Sequence, residues 1–224
     1  TVFNCVTGFY KPTSGRMALS LGTQSEHAID ALTTSGRGWH TTPAGGLFLL
    51  ERMRDFQIAH RARVARTFQN IRLFPGMTVL ENLLVPMDYL KKSHRDEVER
   101  ADEVLQSVGL KGRRNDPAEA LSQLELRKLE LARALAAEPE ILIADEAMAG
   151  LSEAEIDDIL ALLFRLNEAG VAVVMIEHIM HAVMRFSEHM ICLETGKIIA
   201  EGTPSEIAGN PIVQKVYFGE QTHR

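Results

Sequence analysis

The sequence has no apolar run long enough to cross a bilayer, few cysteines and no excess of positive charge. A membrane-spanning helix needs about 20 consecutive apolar residues, and no segment approaches that length, so any membrane role must come through a partner. The only cysteines, Cys5 and Cys192, form neither a disulfide framework nor a metal-ligand pattern, which favours a reducing cytosol. A net charge of -6 supplies no basic surface overall, so no nucleic-acid partner is predicted. The first residues also lack the basic start and apolar block of a signal peptide.

The composition is that of an ordinary globular protein. The 224 residues, 46% of them hydrophobic and 24% charged, suffice for one large domain or a domain with a subdomain. In the C-terminal third, two apolar strands, Ile141 to Ala144 and Val171 to Ile176, flank a helix that begins with a capping box at Ser152 and Glu155. Strands joined through a helix are typical of a parallel sheet, and continuous apolar strands indicate that helices cover both faces. The predicted fold class is therefore α/β.

A helical insert is predicted between about Ile71 and Ala120. Thr78 and Glu81 form a capping box that begins its first helix, and the apolar spacing from Ser93 to Val108 predicts its second. Residues 16 to 46 have the composition of loops. The other predicted elements are helices from about Leu47 to Val64, from Leu121 to Ala136, from about Met180 to Phe186 and after Thr203 and Pro211, and strands from Met190 to Leu193 and from Lys197 to Ala200.

Asp145 and Glu146 are the first candidates for chemistry. They end a buried strand, at the edge where open parallel sheets bind ligands. One carboxylate could hold a hydrated Mg²⁺ ion, which takes few protein ligands besides substrate phosphates, and the other could orient or deprotonate water. The alternative is an acidic pair that only caps the next element.

His178 and Ser122 are weaker candidates taken singly. His178 follows the neighbouring strand and could reach the same pocket, or it is a histidine in a polar turn. Ser122 begins a helix, where it is either a plain N-cap or part of an anion site at the helix N-terminus. Gln69, in the stretch from Arg66 to Phe74, is interpreted from composition alone as a surface amide in a loop.

In order and spacing, these segments resemble the ATP-binding-cassette (ABC) ATPases, and most closely the ATP-binding subunits of branched-chain amino-acid importers. The resemblance is carried by Ala65 to Phe74, which is similar to the Q-loop of that subgroup, by Thr78 to Val85, by Leu121 to Glu125 as the signature motif, and by Asp145-Glu146 and Glu177-His178. It extends over Thr1 to Gly15 and to the C-terminal Glu201 to Pro204 and Tyr217 to Glu220. Residues 16 to 60 match poorly.

The resemblance implies a role for each candidate. Asp145 would be the carboxylate on the Mg²⁺ side, Glu146 the residue that polarises the attacking water, and His178 a catalytic switch near the γ-phosphate. Gln69 would sense the Mg²⁺ and the lytic water and couple them to membrane subunits. The nucleotide-contacting residues would be Ser122, Glu125 and Thr1, with Ser122 serving the ATP of the opposite protomer. ATP and Mg²⁺ are thus the implied ligands.

The same resemblance implies the architecture and partners. The fold would be a mostly parallel sheet of the P-loop NTPase type, flanked by helices. Residues 1–70 would be the remainder of the N-terminal part of the core, 71–120 a helical subdomain, and 121–224 the signature helix with the C-terminal part of the core. Transmembrane permease subunits and a second ATPase subunit in a head-to-tail dimer would be the partners, at the cytoplasmic face of the membrane.

Several residues depart from the family pattern. The P-loop sequence G-x-x-x-x-G-K-[ST] and the strands that precede it are missing, and Thr1 falls one place after its Mg²⁺-binding Ser/Thr. Leu124 stands at the signature glycine and Ala147 at the usual proline after the carboxylates. Two hypotheses follow: an importer ATPase whose N-terminal portion is absent from this sequence, or a non-catalytic module that docks on partners. A chromosome-repair ATPase would need long heptad coils, which the sequence lacks.

Overall fold

The structure, a computed structural model, describes residues 2–22, 26–42, 45–68, 73–88 and 93–218. The strands are β1 (Ala18–Leu21), β2 (Trp39–Thr42), β3 (Gly45–Leu49), β4 (Val64–Arg66), β5 (Ile141–Asp145), β6 (Ala172–Ile176), β7 (Met190–Glu194) and β8 (Lys197–Gly202). The α-helices are α1 (Val2–Val6), α2 (Glu26–Thr34), α3 (Asp55–Arg61), α4 (Val79–Met87), α5 (His94–Ser107), α6 (Gln123–Ala136), α7 (Glu153–Glu168), α8 (Met180–Phe186), α9 (Pro204–Gly209) and α10 (Pro211–Phe218). Single 3-10 turns lie at Leu50–Arg52, Lys111–Arg113 and Ala118–Ala120.

A three-stranded parallel sheet in the order β4-β5-β6 lies at the centre of the fold. Its register pairs Arg66 with Ile143 and Asp145 with Ile176. Because the strands are parallel, their carboxyl ends share one edge of the sheet. The α/β prediction, with a parallel sheet flanked by helices, is confirmed.

Strand β5 is covered on both faces. Leu142 packs into the large apolar cluster formed mainly by α4 to α7, whereas Ile143 packs into a second cluster around Phe48, Met53 and Ile58. Successive strand residues point to opposite faces, and both of these side chains are almost fully buried. The continuous apolar sequence of β5 is thus explained by two packed faces, as predicted.

Capping boxes that pair a Ser or Thr with a Glu begin four of the described helices. In each box the Glu carboxylate accepts the Ser or Thr amide three residues earlier, and in α4, α6 and α9 the Ser or Thr side chain accepts the Glu amide in return. The pairs are Thr78 with Glu81 in α4, Ser122 with Glu125 in α6, Ser152 with Glu155 in α7 and Thr203 with Glu206 in α9. The boxes predicted at Thr78 and Ser152 are confirmed, and so are the bounds of α5 and α8 to within two residues.

The helix predicted from Leu47 to Val64 is wrong. Leu47, Phe48 and Leu49 belong to strand β3, the central strand of an antiparallel sheet in the order β1-β3-β2. The rest of that range contains the 3-10 turn Leu50–Arg52 and the short helix α3. A short apolar run fits a buried strand as well as a helix, and here hydrogen bonds to strands on both sides decide for the strand. The prediction of loops for residues 16 to 46 is also wrong, because β1, α2 and β2 lie there.

The two predicted strands β7 and β8 pair antiparallel and are joined at Thr195-Gly196. The large apolar cluster includes Val79 in α4 and Leu163 in α7, so it crosses the expected boundary between residues 120 and 121. The division into 1–70, 71–120 and 121–224 stays a prediction. No helix in the described ranges has both the length and the apolarity that crossing a membrane requires.

Candidate functional site

Asp145, Glu146 and His178 lie at the ends of the two neighbouring strands β5 and β6. The amide of Glu146 donates to the carbonyl of Ile176 at 2.9 Å, which extends the pairing of the strands by one step. Glu146 has a φ of 46°, a left-handed conformation that costs a non-glycine residue about 1 kcal/mol or more. His178 is exposed, two residues beyond the end of β6. The structure thus brings the two carboxylates and the histidine to one edge of the sheet, as predicted.

Asp145 is paired with an arginine that sequence reasoning did not single out. Arg66, the last residue of β4, donates from Nη2 to Oδ2 of Asp145 at 2.7 Å, and both side chains are less than one-fifth exposed. Nη1 of Arg66 donates to Oδ1 of Asn4 in α1 at 2.6 Å. The rings of Phe9 and Phe68 lie 5.5 and 5.1 Å from the guanidinium carbon, within cation–π range.

This pairing does not fit a Mg²⁺ ion on the same carboxylate oxygen. Oδ2 of Asp145 already accepts from a cation, and no group of three or more His, Cys, Asp or Glu side chains in the described ranges could hold a metal ion. Mg²⁺ binds through one or two carboxylates that are free to face it and the substrate phosphates. The expected role of Asp145 toward Mg²⁺ stays a prediction.

Glu177 holds the loop that follows Glu146. Its Oε1 accepts the amide of Met148 at 3.0 Å, and its Oε2 is buried with no hydrogen-bond partner among the described residues. Burial raises the pKa of Glu177 above its ordinary value, opposed by the amide of Met148 and by His178, while the nearby carboxylate of Glu146 adds to the rise. Sequence reasoning treated Glu177 only as the residue before His178. Glu177 therefore connects the end of β6 to the loop after β5.

Ser122 and Glu125 form a helix cap. The amide of Ser122 donates to Oε2 of Glu125 at 2.8 Å, and Oγ of Ser122 accepts the amide of Glu125 at 3.3 Å. Arg113 donates from Nη1 to Oε1 of Glu125 at 2.9 Å. The amide of Ser122, together with Arg113, lowers the pKa of Glu125, which keeps this carboxylate charged. Of the two interpretations of Ser122, the structure displays the N-cap.

The start of α6 also differs from an open anion site in its side chains. Leu124 is half-buried and packs against the large apolar cluster. Two of the amides that a phosphate would use, those of Ser122 and Glu125, already have partners within the cap. Contact with a nucleotide by Ser122 and Glu125 stays a prediction. Gln69 and Thr1 lie outside the described residues, so their predicted roles rest on sequence alone.

A second feature missed from the sequence is a buried ion pair in α6. Arg127 and Glu130 are 4% and 6% exposed, and their side chains contact at 3.3 Å. The sequence signal is a pair of opposite charges three residues apart among leucines. Burial, which decides the meaning of such a pair, is not readable from spacing.

Comparison with known proteins identifies the family. The family model described as ABC transporter matches residues 1–149, and the one described as branched-chain amino acid ATP-binding cassette transporter matches residues 197–223. The high-affinity branched-chain amino acid transport ATP-binding protein BraF of Pseudomonas aeruginosa is 37% identical, over 98% of this chain and 82% of its own. The corresponding protein LivG of Escherichia coli is 35% identical over the same shares.

Solved structures show the same fold. The ADP conformation of MJ1267, an ATP-binding cassette of an ABC transporter, superposes with a TM-score of 0.74 at 24% identity, over 98% of this chain and 82% of that one. The dimeric structure of MJ0796, a bacterial ABC transporter cassette, superposes with a TM-score of 0.68 at 25% identity, over 91% and 79%. The expected family is confirmed, and this chain belongs to the ABC transporter family as an ATP-binding cassette.

Proposed function

We propose that this protein is the ATP-binding and ATP-hydrolysing subunit of an importer for branched-chain or other amino acids. The observation that carries the proposal is the common edge of β5 and β6, where Asp145, Glu146 and His178 follow paired strands in a chain of this family. The names of BraF and LivG, which match nearly the whole chain, support the solute class. ATP is the proposed ligand, accompanied by Mg²⁺.

The proposed chemistry is phosphoryl transfer to water. Glu146 would orient and polarise the attacking water, and His178 would stabilise charge that develops on the γ-phosphate. Such reactions are accelerated mainly by positioning and by charges aimed at the transition state. The 224 residues contain no G-x-x-x-x-G-K-[ST] sequence, so the proposal concerns the part of the site that β5, β6 and α6 form.

The proposed partners are transmembrane permease subunits and a second ATPase subunit, at the cytoplasmic face of the membrane. An aromatic surface supports a protein partner: Phe9, Tyr10 and Phe56 are each about half exposed. Phe9 and Phe56 line a cavity of about 290 Å³ whose wall also includes Phe68. Exposed apolar clusters of this kind mark interaction sites. The head-to-tail dimer would place Ser122 against the partner's ATP.

A non-catalytic module is the second candidate, and Glu125 is the observation that favours it. A charged carboxylate at the start of α6 repels a phosphate, by up to about 4 kcal/mol for two unit charges about 4 Å apart at an effective dielectric constant of 20, and the ion pair with Arg113 offsets part of this repulsion. Under this alternative the chain docks on partners and ATP is hydrolysed elsewhere. Calorimetric titration of the 224-residue chain with Mg-ATP bears on this candidate, because micromolar binding would contradict it.

The main proposal is tested in the assembled transporter. The full gene product, a branched-chain amino-acid permease and its solute-binding protein are reconstituted in vesicles, and ATP hydrolysis and leucine uptake are measured. Glu146→Gln is expected to lower both by a factor of about 100 or more, as loss of a positioned water-activating group does. Glu153→Gln, on an exposed turn of α7, is the control and is expected to change neither. Uptake unchanged by Glu146→Gln would refute the proposal.

A further inference from the structure

Four polar side chains are buried in the described part of the chain: Thr67, Asn82, Arg127 and Glu130. All four form hydrogen bonds with backbone groups. Thr67 binds Asp145 at the edge of the sheet, Arg127 and Glu130 bind Phe68, and Asn82 binds Phe74. Burying a charged pair is expensive, and apolar residues of the same volume often stabilise a fold equally well. The pair Arg127–Glu130 therefore calls for an explanation other than stability.

Glu130 and Arg127 hold both backbone groups of Phe68. The amide of Phe68 donates to Oε1 of Glu130 at 2.8 Å, and its carbonyl accepts Nη1 of Arg127 at 3.3 Å. The same nitrogen of Arg127 lies 3.3 Å from Oε2 of Glu130. Phe68 is two residues beyond β4 and directly precedes Gln69. One turn of α6 is thus hydrogen-bonded to the segment that follows β4.

The same arginine reaches the loop after β5. Nη2 of Arg127 donates to the carbonyl of Ala149 at 3.5 Å, three residues after Glu146. Next to Phe68, Oγ1 of Thr67 accepts the amide of Asp145 at 3.1 Å. Arg127 therefore binds the segments that follow two neighbouring strands, while Thr67 joins those strands to each other.

Asn82 in α4 accepts the amide of Phe74 at 2.9 Å and donates to its carbonyl at 3.1 Å. The guanidinium carbon of Arg133 in α6 lies 5.4 Å from the ring centre of Phe74. Since α4 and α6 pack against each other in one apolar cluster, Phe68 and Phe74 are held by the same group of helices.

We propose that Arg127 and Glu130 are positioning residues that make the backbone of Phe68 and of Ala149 move with helix α6. The inference rests on the proposed function, because its consequence is that a displacement of α6 reaches both sides of the candidate ATP site. An apolar pair would fill the same volume and make none of these backbone contacts. Arg127 and Glu130 act through directional hydrogen bonds to the backbone and supply no catalytic group.

Hydrogen exchange in the full chain tests the attachment. Glu130→Leu removes the acceptor of the Phe68 amide, whereas Glu130→Gln keeps an acceptor oxygen. The matched control is Asp102→Asn, which breaks the half-buried pair of Asp102 with Arg114 within the insert. Relative to amides of β5, the Phe68 amide is expected to exchange about tenfold faster in Glu130→Leu and within about twofold of wild type in the control. An equal acceleration of all amides in Glu130→Leu would reduce the pair to a structural role.

The assembled transporter gives the second readout. With the permease present, Glu130→Leu is expected to lose about fivefold or more of the stimulation of ATP hydrolysis by transported solute, at a KM for ATP within about twofold of wild type. Glu130→Gln is expected to restore part of it. Stimulation that survives in Glu130→Leu would overturn the inference. A wild-type complex without ATP hydrolysis would instead contradict the proposed function, and the exchange experiment would still decide the attachment.

Discussion

Arg66 and Asp145 form an ion pair between the ends of neighbouring parallel strands, with 2.7 Å between Nη2 and Oδ2. The side chains are 15% and 18% exposed, so water screens the pair only in part. Since Arg66 also binds Asn4, helix α1 is connected to the sheet through this guanidinium. The charge of the carboxylate at the end of β5 is thus balanced within the chain.

The pair is expected to contribute measurably to stability. In a double-mutant cycle of Arg66→Met and Asp145→Asn, followed by urea unfolding, we expect a coupling energy of about 1–2 kcal/mol. The control is the pair Arg63–Glu140, whose side chains are 44% and 42% exposed. Solvent-exposed pairs contribute little, so its coupling is expected to be below about 0.5 kcal/mol. Equal couplings for the two pairs would contradict the partly buried character of Arg66–Asp145.

Ser122 and Ser152 offer a matched pair of N-caps. Ser122→Ala and Ser152→Ala are each expected to lower the free energy of unfolding by about 1 kcal/mol, because each removes the N-cap hydroxyl of a capping box. If Ser122 also serves the ATP of a partner, only Ser122→Ala will reduce ATP hydrolysis by the assembled dimer. Hydrolysis and thermal unfolding are measured on both variants. Equal hydrolysis would leave Ser122 with the cap alone.

Glu177 is expected to make stability depend on pH. Its pKa is raised in the folded state by burial, so the folded protein binds this proton more tightly than the unfolded chain. The free energy of unfolding should therefore gain a contribution as the pH falls from neutrality through the raised pKa to the ordinary value of about 4.3. Glu177→Gln, which keeps an acceptor for the amide of Met148, should lack this gain.

Chemical unfolding of wild type and Glu177→Gln between about pH 7 and pH 5 checks the difference. The capping glutamates have lowered pKa values and act in the opposite direction, since their stabilisation is lost as the pH falls below the ordinary value; they are Glu81, Glu125, Glu155 and Glu206. Because both proteins contain them, their effect cancels. Parallel pH curves for the two proteins would show that Glu177 is not the group responsible.

Strand β6 is expected to promote self-association. In the described ranges its only strand partner is β5, and Val174 is 41% exposed. Open apolar edges pair with other chains, and lysine on such a strand prevents this. Val174→Lys should shift sedimentation velocity profiles of the isolated chain toward the monomer. Ile198→Lys, at a residue exposed by 60% on the β7–β8 hairpin, is the control and should not. Equal shifts would point to general surface apolarity.

The sequence patterns predicted the parts of the fold whose signals are local. Continuous apolar runs located β5 and β6, and side chains three residues apart located the caps at Thr78 and Ser152. Because parallel strands end at one edge, the same patterns also predicted that Asp145, Glu146 and His178 would lie together. Strand β3 was missed because its apolar run is equally compatible with a helix until strands on both sides are known.

The contacts that surround these residues were not predictable in the same way. Arg66 and Asp145 are 79 residues apart, and Phe68 and Glu130 are 62 apart. Such pairs depend on how the strands and α6 pack, for which spacing along the chain carries no signal. The same holds for Glu177, whose Oε1 accepts the amide of Met148, 29 residues away. The sequence thus indicated the candidate residues, whereas the partner of each charged side chain could be identified only from the tertiary structure.

Glu146, with its φ of 46°, occupies a backbone conformation that glycine adopts with less strain. Glu146→Gly is therefore expected to raise the free energy of unfolding by about 1 kcal/mol while it removes the proposed water-activating carboxylate. Urea unfolding of the variant measures this gain. Glu146→Gly would then raise stability and abolish ATP hydrolysis, so the two properties favour different residues at this position. Selection for a sturdier protein would then work against this side chain, and only selection for hydrolysis would retain it.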